Sequence, residues 1–142
     1  MLSVPRLLIS GVSCGVGKAM LGLGLTHELR QRGVSVSSCV LTPNLLQAIV
    51  YRRISGRYVR TLDSRLLSDS QNLISCFFAG VGADIVLVHG NRGLFDGEAP
   101  DIIAGSDAEM AKLIGAPVAL VIDARGFGSS LAAVVRGFTE SS

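Results

Sequence analysis

The chain opens with an apolar strand, a glycine-rich turn and a helix in direct succession, and this order constrains the fold more than any other feature. Residues 4–10 form a short apolar run, and residues 18–32 carry leucines at helical spacing. The segment SGVSCGVGKAM, residues 10–20, joins the two. Such a turn gathers backbone N–H groups at a helix N-terminus, where the helix dipole adds positive potential. We therefore expect an anion-binding turn after the first strand.

Phosphate binding is the function that the residues of this turn favour. Glycines adopt backbone conformations that direct several N–H groups at one point, and a following lysine reaches the terminal phosphates of a nucleotide. The strict pattern GxxxxGK[ST] is not met, since the first glycine stands one residue early and alanine replaces the magnesium-binding hydroxyl. The alternative is a tightly packed turn that binds nothing. We assign cofactor binding to these residues: Gly11, Ser13, Cys14, Gly15, Val16, Gly17, Lys18 and Ala19.

The three cysteines, Cys14, Cys39 and Cys76, are widely spaced and form no CxxC pair, so neither a disulfide framework nor a zinc site is indicated. Two interpretations of Cys14 remain open. It is either a small packing residue whose N–H group contributes to the turn, which we favour, or a thiol made reactive by the helix N-terminus and Lys18.

Further strands and helices alternate along the chain. The patterns predict strands at 34–41, 84–89 and 117–123, and helices at 66–79, 106–113 and 129–138. Residues 43–63 have no clear assignment, and the glycine-rich segment 90–105 is predicted to be a loop. Ser106 and Glu109 match a capping box. The alternation predicts one α/β domain over residues 1–142, with a parallel sheet covered by helices on both faces.

Three segments follow the predicted strands and should meet at one site, because ligands of parallel sheets bind beyond the carboxyl ends of the strands. They are the glycine turn, His89 with the loop after it, and the turn at residues 123–128. A lone histidine with no second ligand nearby is more often a hydrogen-bonded structural residue than a metal ligand.

Composition and charge exclude several classes of protein. Hydrophobic residues make up 49% of the 142 residues and charged residues 17%, which argues against disorder. The longest apolar run, 116–122, is far below the roughly 18 residues that cross a bilayer, and Arg6 interrupts the N-terminal apolar stretch. We expect a cytoplasmic protein without a membrane partner. Residues 1–65 hold nine basic and two acidic residues, whereas 66–142 hold four and nine, an asymmetry that favours anionic ligands on one side.

Five stretches of the chain resemble one family. The chain is similar almost end to end to the N-terminal nucleotide-binding domain of cobyrinic acid a,c-diamide synthase, a cobalamin-pathway amidoligase related to dethiobiotin synthetase. GLFDG together with GAPVALVIDARG is the most specific part of the likeness. The stretches are PRLLISGVSCGVGK at 5–18, SGRYVRTLDSRLL at 55–67, GADIVLVHGNRGLFDG at 82–97, AEMAKLIGAPVALVIDARG at 108–126 and AAVVRGF at 132–138.

This resemblance implies a P-loop NTPase-like sheet with strand order 2-3-1-4, truncated relative to the family. It also implies that ATP phosphorylates a substrate carboxylate and that ammonia, released from glutamine by a separate glutaminase domain, displaces the phosphate. Mapped onto this chain, residues 11–18 would bind the ATP phosphates, and the catalytic residues would be Lys18 and Asp96. A separate glutaminase or another corrinoid-pathway protein is then an expected partner.

The chain departs from the family at the residues that support magnesium. Ala19 stands in place of a threonine, and His89 in place of the glutamate of a VEG motif. The family pattern KVGPDYIDP is replaced by residues 40–48, VLTPNLLQA, which lack its lysine and aspartates. Magnesium prefers hard oxygen ligands, so we assign no metal site and expect ATP binding with little metal support. Two hypotheses follow: an amidoligase homologue impaired as an isolated chain, and a non-catalytic module that binds a nucleotide, another anion or a protein.

Two surfaces remain to be explained. The chain stops before the family's next strand, so the fourth predicted strand should be a sheet edge, and an apolar edge of this kind favours a homodimer. For the arginine cluster of residues 52–65, nucleic-acid binding is a weaker hypothesis than a solvated basic face, since Trp is absent and no aromatic-interleaved nucleic-acid motif appears. The cluster is Arg52, Arg53, Arg57, Arg60 and Arg65.

Overall fold

The structure, a computed structural model, describes residues 4–99 and 103–141. Strands and helices alternate along the described chain, as the sequence predicts. The strands are β1 (Arg6–Gly11), β2 (Val36–Leu41), β3 (Arg60–Leu62), β4 (Ile85–Gly93) and β5 (Val118–Val121). The helices are α1 (Lys18–Gln31), α2 (Leu45–Ser55), α3 (Asp69–Gly80), α4 (Asp107–Ile114) and α5 (Leu131–Glu140).

The strands form one parallel sheet in the order β3-β2-β4-β1-β5. The four strands that the sequence predicted correspond to β1, β2, β4 and β5, so the predicted order 2-3-1-4 is confirmed. The additional strand β3 pairs with the outer side of β2. On the opposite side, β5 pairs with β1 and forms the other edge of the described sheet.

Helices cover both faces of the sheet. On one face, side chains of β1, β2 and β4 pack against Cys76 and Ala79 of α3 and against Met110 and Ile114 of α4. On the other face, Val40 packs with residues of α1 and α2. The central strands are therefore buried on both sides, which explains why they read as continuous apolar runs rather than alternating ones.

Small residues, not leucines, form the buried face of α1. Gly22 and Thr26 are buried, whereas Leu21 is 49% exposed. A Cβ atom at Gly22 would lie 2.7 Å from both the Nδ1 atom of His89 and the Oη atom of Tyr51. The helix therefore approaches these two rings more closely than any larger residue would permit.

The region 43–63, left unassigned from the sequence, contains α2 and β3. Its helix has recognisable ends: the Asn44 side chain accepts a hydrogen bond from the Gln47 N–H at 3.0 Å, and Gly56 ends the helix at φ 67. An asparagine N-cap and a left-handed glycine C-cap are both common at the ends of helices. Tyr51 and Val59 complete the core on this face of the sheet.

Two local predictions were wrong. The segment 90–105 is not entirely loop, because β4 continues to Gly93, which pairs with Gly11 of β1. The capping box of α4 is only half formed. The Ser106 hydroxyl accepts from the Glu109 N–H at 3.2 Å, but the Glu109 carboxylate accepts from Gly105 N–H at 2.7 Å instead of returning to Ser106.

At the C-terminal end of the described chain, α5 has no buried residue. Phe138 stacks on Phe95, with ring centroids 5.5 Å apart, and the exposed fraction of the Val118 residue on β5 is 36%. No helix within residues 4–99 and 103–141 is long and apolar enough to span a membrane.

Candidate phosphate-binding site

The glycine turn has the backbone shape expected of an anion site. Gly15 and Gly17 have φ values of 77 and 95, in the left-handed region that glycine adopts readily. Open space surrounds both, since no heavy atom lies within 4 Å of a Cβ built on either residue. Gly17 is the N-cap of α1, no side chain caps this helix, and its first turn has no acidic residue. No carboxylate of the first turn therefore competes with a ligand for the N–H groups there.

Lys18 lies folded back into the turn. The residue is 8% exposed, and its Nζ atom donates to the Ser13 carbonyl at 2.9 Å. Its Cδ atom lies 3.2 Å from the position of a Cβ at Gly11, so that glycine leaves room for the lysine stem. The ammonium group is thus held at the turn, where it adds a full positive charge to the helix N-terminus.

Two neighbouring strands anchor the start of the turn. The Val12 N–H donates to the Val121 carbonyl at 3.1 Å, and the Leu94 N–H donates to the Gly11 carbonyl at 2.7 Å. The tip is exposed to solvent, and the Cys14 thiol there lies 3.9 Å from the Asn91 carbonyl. Because Val121 ends β5, the 123–128 turn begins beside the glycine turn, as the topology predicts.

Asp96, assigned a catalytic role by resemblance, lies at the end of β4 close to the start of the turn. Its Oδ2 atom accepts from the Gly93 N–H at 3.0 Å, and the side chain is exposed. A Cβ atom built on Gly93 would lie 3.1 Å from the carbonyl oxygen of Val12. Asp96 therefore closes a turn beside the glycine turn.

Asp107 is a buried acid at this edge that sequence reasoning missed. It is 4% exposed; its Oδ2 atom accepts from the Ser10 hydroxyl at 2.6 Å, and Oδ1 from the Asn91 N–H at 3.4 Å. Burial raises the pKa of Asp107 to about 6, against the lowering effect of these hydrogen bonds and of the Lys18 charge. In the sequence, Asp107 reads only as the first residue of a helix capped by Ser106.

His89 does not line the phosphate site; it is the hydrogen-bonded structural residue that the sequence favours over a metal ligand. It is 4% exposed, stacks on Tyr51 with ring centroids 3.6 Å apart, and shares a 3.2 Å hydrogen bond between Nε2 and the Ser38 hydroxyl. Burial lowers the pKa of His89 to about 3, so its ring is neutral at physiological pH. The Tyr51 hydroxyl donates to the Ala19 carbonyl at 3.3 Å, which ties this pair of rings to the first turn of α1.

Two residues that stand where the resemblance implies magnesium supports offer the ion no side-chain oxygen. Ala19 offers no side-chain oxygen, and His89 is enclosed beneath α1. Within residues 4–99 and 103–141, no group of three or more His, Cys, Asp or Glu side chains could hold a metal. The geometry favours backbone N–H groups and Lys18 as the anion-binding elements.

The arginine cluster is divided among several environments. Arg57 donates to the carbonyl groups of Val81 and Gly82, which clamps the start of β3 to the end of α3. Arg60 lies over the ring of Phe78 at 5.4 Å. These contacts support the interpretation of a structural and solvated basic region.

Comparison with known proteins gives sequence relatives and a structural neighbour. No protein-family model matches the chain. It is 42% identical over 139 residues to the cobyrinate a,c-diamide synthase of Syntrophotalea carbinolica, covering 98% of this chain and 30% of that protein. It is 35% identical over 136 residues to the cobyrinate a,c-diamide synthase of Leptospira interrogans, covering 96% and 30%. The chain thus spans about 30% of the length of the curated relatives it matches.

Among solved structures, the signal recognition particle receptor FtsY from Elizabethkingia anophelis, in complex with GDP, matches with a TM-score of 0.68 at 19% identity. The match covers 100% of this chain and 47% of the FtsY chain. At this identity the likeness shows the fold alone, and it confirms the predicted P-loop NTPase-like α/β fold.

Proposed function

Over almost its whole length the chain is a homologue of the cobyrinate a,c-diamide synthases of cobalamin biosynthesis, and we propose that it binds the phosphates of ATP at residues 11–18. The observation that carries the proposal is the turn itself. Gly15 and Gly17 are left-handed and surrounded by open space, and Lys18 is folded back to Ser13. A helix N-terminus without a carboxylate in its first turn is a suitable place for an anionic phosphate.

We further propose that this phosphate site acts with little help from magnesium. Phosphoryl transfer depends on metal ions and fixed positive charge to stabilise the transferring group. Ala19 and the enclosed His89 offer no oxygen ligand, and Oδ2 of Asp96 already accepts from the Gly93 N–H. The amidation of corrinoid carboxylates would then be impaired at these residues, and it would depend on further residues and on ammonia, supplied for example by a glutaminase. A non-catalytic module that binds nucleotide or another anion is the alternative.

Calorimetric titration with ATP and with ADP, each with and without magnesium, tests the proposal. We expect weak binding whose dissociation constant is nearly the same with and without the metal. Lys18→Ala should weaken binding at least about tenfold, because hydrogen bonds to charged groups contribute about 1.5–3 kcal/mol. The matched control is Lys112→Ala, which removes the chain's other lysine from the exposed surface of α4.

The possible results separate the alternatives. Tight binding that requires magnesium would overturn the metal-independent proposal in favour of an active amidoligase site. If Lys18→Ala binds ATP as well as the unmodified protein, the site assignment itself is wrong.

A second copy of the chain is the partner that we propose for the β5 edge. Pairing two β5 strands would satisfy the backbone groups on the side that β1 leaves open and would cover Val118. Sedimentation equilibrium at tens of micromolar should show a dimer, and a monomer at that concentration would contradict this partner.

A further inference from the structure

A narrow cleft lies at the carboxyl ends of β2, β3 and β4, beside the glycine turn. Its volume is about 30 Å³, and it is partly open to solvent. Since roughly 10–15 Å³ of such space accommodates one water molecule, the cleft holds about two water-sized groups. It therefore admits the end of a ligand or a small ion rather than a whole nucleotide. Its polar lining residues are Thr42, Asp63, Ser64, Arg65, Asn91, Arg92, Glu98, Ser106 and Asp107.

Asp63 is a buried lining residue with unused hydrogen-bonding capacity. It is 4% exposed, and its Oδ1 atom accepts from the N–H groups of Arg65 at 2.8 Å and Leu66 at 3.0 Å. Its Oδ2 atom is buried and accepts no hydrogen bond from any residue in the ranges 4–99 and 103–141. A buried carboxylate oxygen without a donor is destabilising, so an occupant that supplies one would remove this cost.

The arginines of the cleft do not supply the missing donor. Arg65 is directed to Glu98, with 3.8 Å between Nε and Oε1, and Arg92 donates through Nη1 to the Gly97 carbonyl at 2.7 Å. The lining of the cleft contains three carboxyl groups and two guanidinium groups. The carboxyl groups belong to Asp63, Glu98 and Asp107. The balance of charge therefore favours a small cationic donor over an anion.

A strained residue lines the same cleft. Thr42, directly after β2, has a φ of 64, and β-branched side chains avoid this region of the backbone map. Such outliers persist where the surrounding structure holds them, and they cluster at ligand sites.

We propose that this cleft binds an ammonium ion or the primary ammonium group of a small amine, which donates an N–H hydrogen bond to Oδ2 of Asp63. The small size of the cleft favours a compact group, and the Asp63 carboxylate favours a positive charge. The Oδ2 atom of Asp63, which has no donor in the described chain, can accept a hydrogen bond from an N–H group of that occupant. Asn91 and Asp107 belong to the cleft, and the Asn91 carbonyl also lies 3.9 Å from Cys14 in the glycine turn. The bound nitrogen would thus lie at the same edge of the sheet as the phosphate site, but its binding requires no nucleotide.

Titration of the isotopically labelled protein with methylammonium chloride, followed by backbone amide NMR at constant ionic strength and without nucleotide, tests the inference. Tetramethylammonium chloride, which has no N–H group, and potassium chloride are the matched salts. Asp63→Asn keeps the Oδ1 acceptor for Arg65 and Leu66 and replaces Oδ2 by an amide. Asp84→Asn is the control variant, since Asp84 is an exposed carboxylate at the opposite end of β4.

We expect saturable shifts of the Arg65 and Leu66 amides with methylammonium and none with the two matched salts. The dissociation constant should rise at least about tenfold in Asp63→Asn and stay unchanged in Asp84→Asn. An equal response to potassium or tetramethylammonium, or unchanged affinity in a folded Asp63→Asn protein, would overturn the inference. So would the absence of any saturable shift, which would leave water as the occupant. If Asp63→Asn does not fold, the comparison of the three salts on the unmodified protein decides the question. Because nucleotide is absent, failure here leaves the phosphate-site proposal standing.

Discussion

Ionisation of the buried Asp107 should make the protein less stable as the pH rises from about 4 to about 6. The carboxyl group is 4% exposed, and burial raises its pKa from 3.8 to about 6 in the folded state. The folded protein therefore holds this proton more tightly than the unfolded chain does. By linkage, the contribution of Asp107 to stability is largest below pH 4 and is lost as the pH passes through the folded pKa.

The size of the effect follows from the shift. A displacement of about two pKa units corresponds to about 3 kcal/mol, at about 1.4 kcal/mol per unit. That is a large part of the 5–15 kcal/mol by which typical domains of this kind are stable. Other carboxyl groups titrate in the same range, so the quantity to measure is a difference between two proteins at each pH.

Asp107→Asn removes the titrating group and keeps an oxygen that can accept from the Ser10 hydroxyl. Urea unfolding of both proteins, followed by circular dichroism at pH 4, 5, 6 and 7, gives the free energy of unfolding. The variant should gain on the unmodified protein by up to about 3 kcal/mol between pH 4 and pH 7. Ser10→Ala removes a hydrogen bond that lowers the pKa of Asp107, so the folded pKa should rise further. The Ser10→Ala protein should therefore continue to lose stability up to a higher pH than the unmodified protein does. A difference between Asp107→Asn and the unmodified protein that stays constant across the four pH values would refute the reasoning.

Two further predictions concern α1 and the thiols. Gly22→Ala should destabilise the protein by about 1–3 kcal/mol, because the new Cβ would lie 2.7 Å from both the Nδ1 atom of His89 and the hydroxyl oxygen of Tyr51. Gly24→Ala, in the same helix but with open space around it, should instead stabilise the protein by about 0.5–1 kcal/mol, and equal effects in thermal melts would contradict the packing. One of the three thiols, Cys14, should react rapidly with a disulfide reagent in the folded protein, since Cys39 and Cys76 are buried and burial raises the pKa of both. Rapid labelling of two or three thiols before unfolding would show that the core is more open than the structure indicates.

Much of the fold could be predicted because local patterns and global topology agree. Buried parallel strands are continuous apolar runs, and the glycines and helix caps between them mark where the chain turns. The order 2-3-1-4 came from resemblance, since periodicity alone does not determine which strands are neighbours. The strand β3 was missed because three residues are too few for a period to show, and α2 because Arg52 and Arg53 obscure its apolar face.

The candidate site was only partly predictable, for a different reason. The glycine turn is contiguous in sequence, so its residues could be named in advance. The hydrogen bond between Asp107 and Ser10 joins residues 97 positions apart, and the cleft at Asp63 combines the ends of three strands. Neither leaves a local pattern. The Asp107 contact also depends on close backbone approach, because a Cβ at Gly90 would collide with the Asp107 carboxylate.

The packing of His89 explains why a neutral residue stands at a position where the resemblance implies a metal ligand. The resemblance implies a glutamate at this position, but here the histidine ring stacks on Tyr51, shares a hydrogen bond with Ser38 and lies against Gly22. A carboxylate enclosed in the same place would lose its hydration and gain no cation from the chain, which costs several kcal/mol. Position 89 is therefore suited to a neutral side chain, and Tyr51 in turn fixes the Ala19 carbonyl at the start of α1. Restoring a hydroxyl at residue 19 would not by itself restore a metal site, because the space that a second ligand would need is filled by two stacked rings.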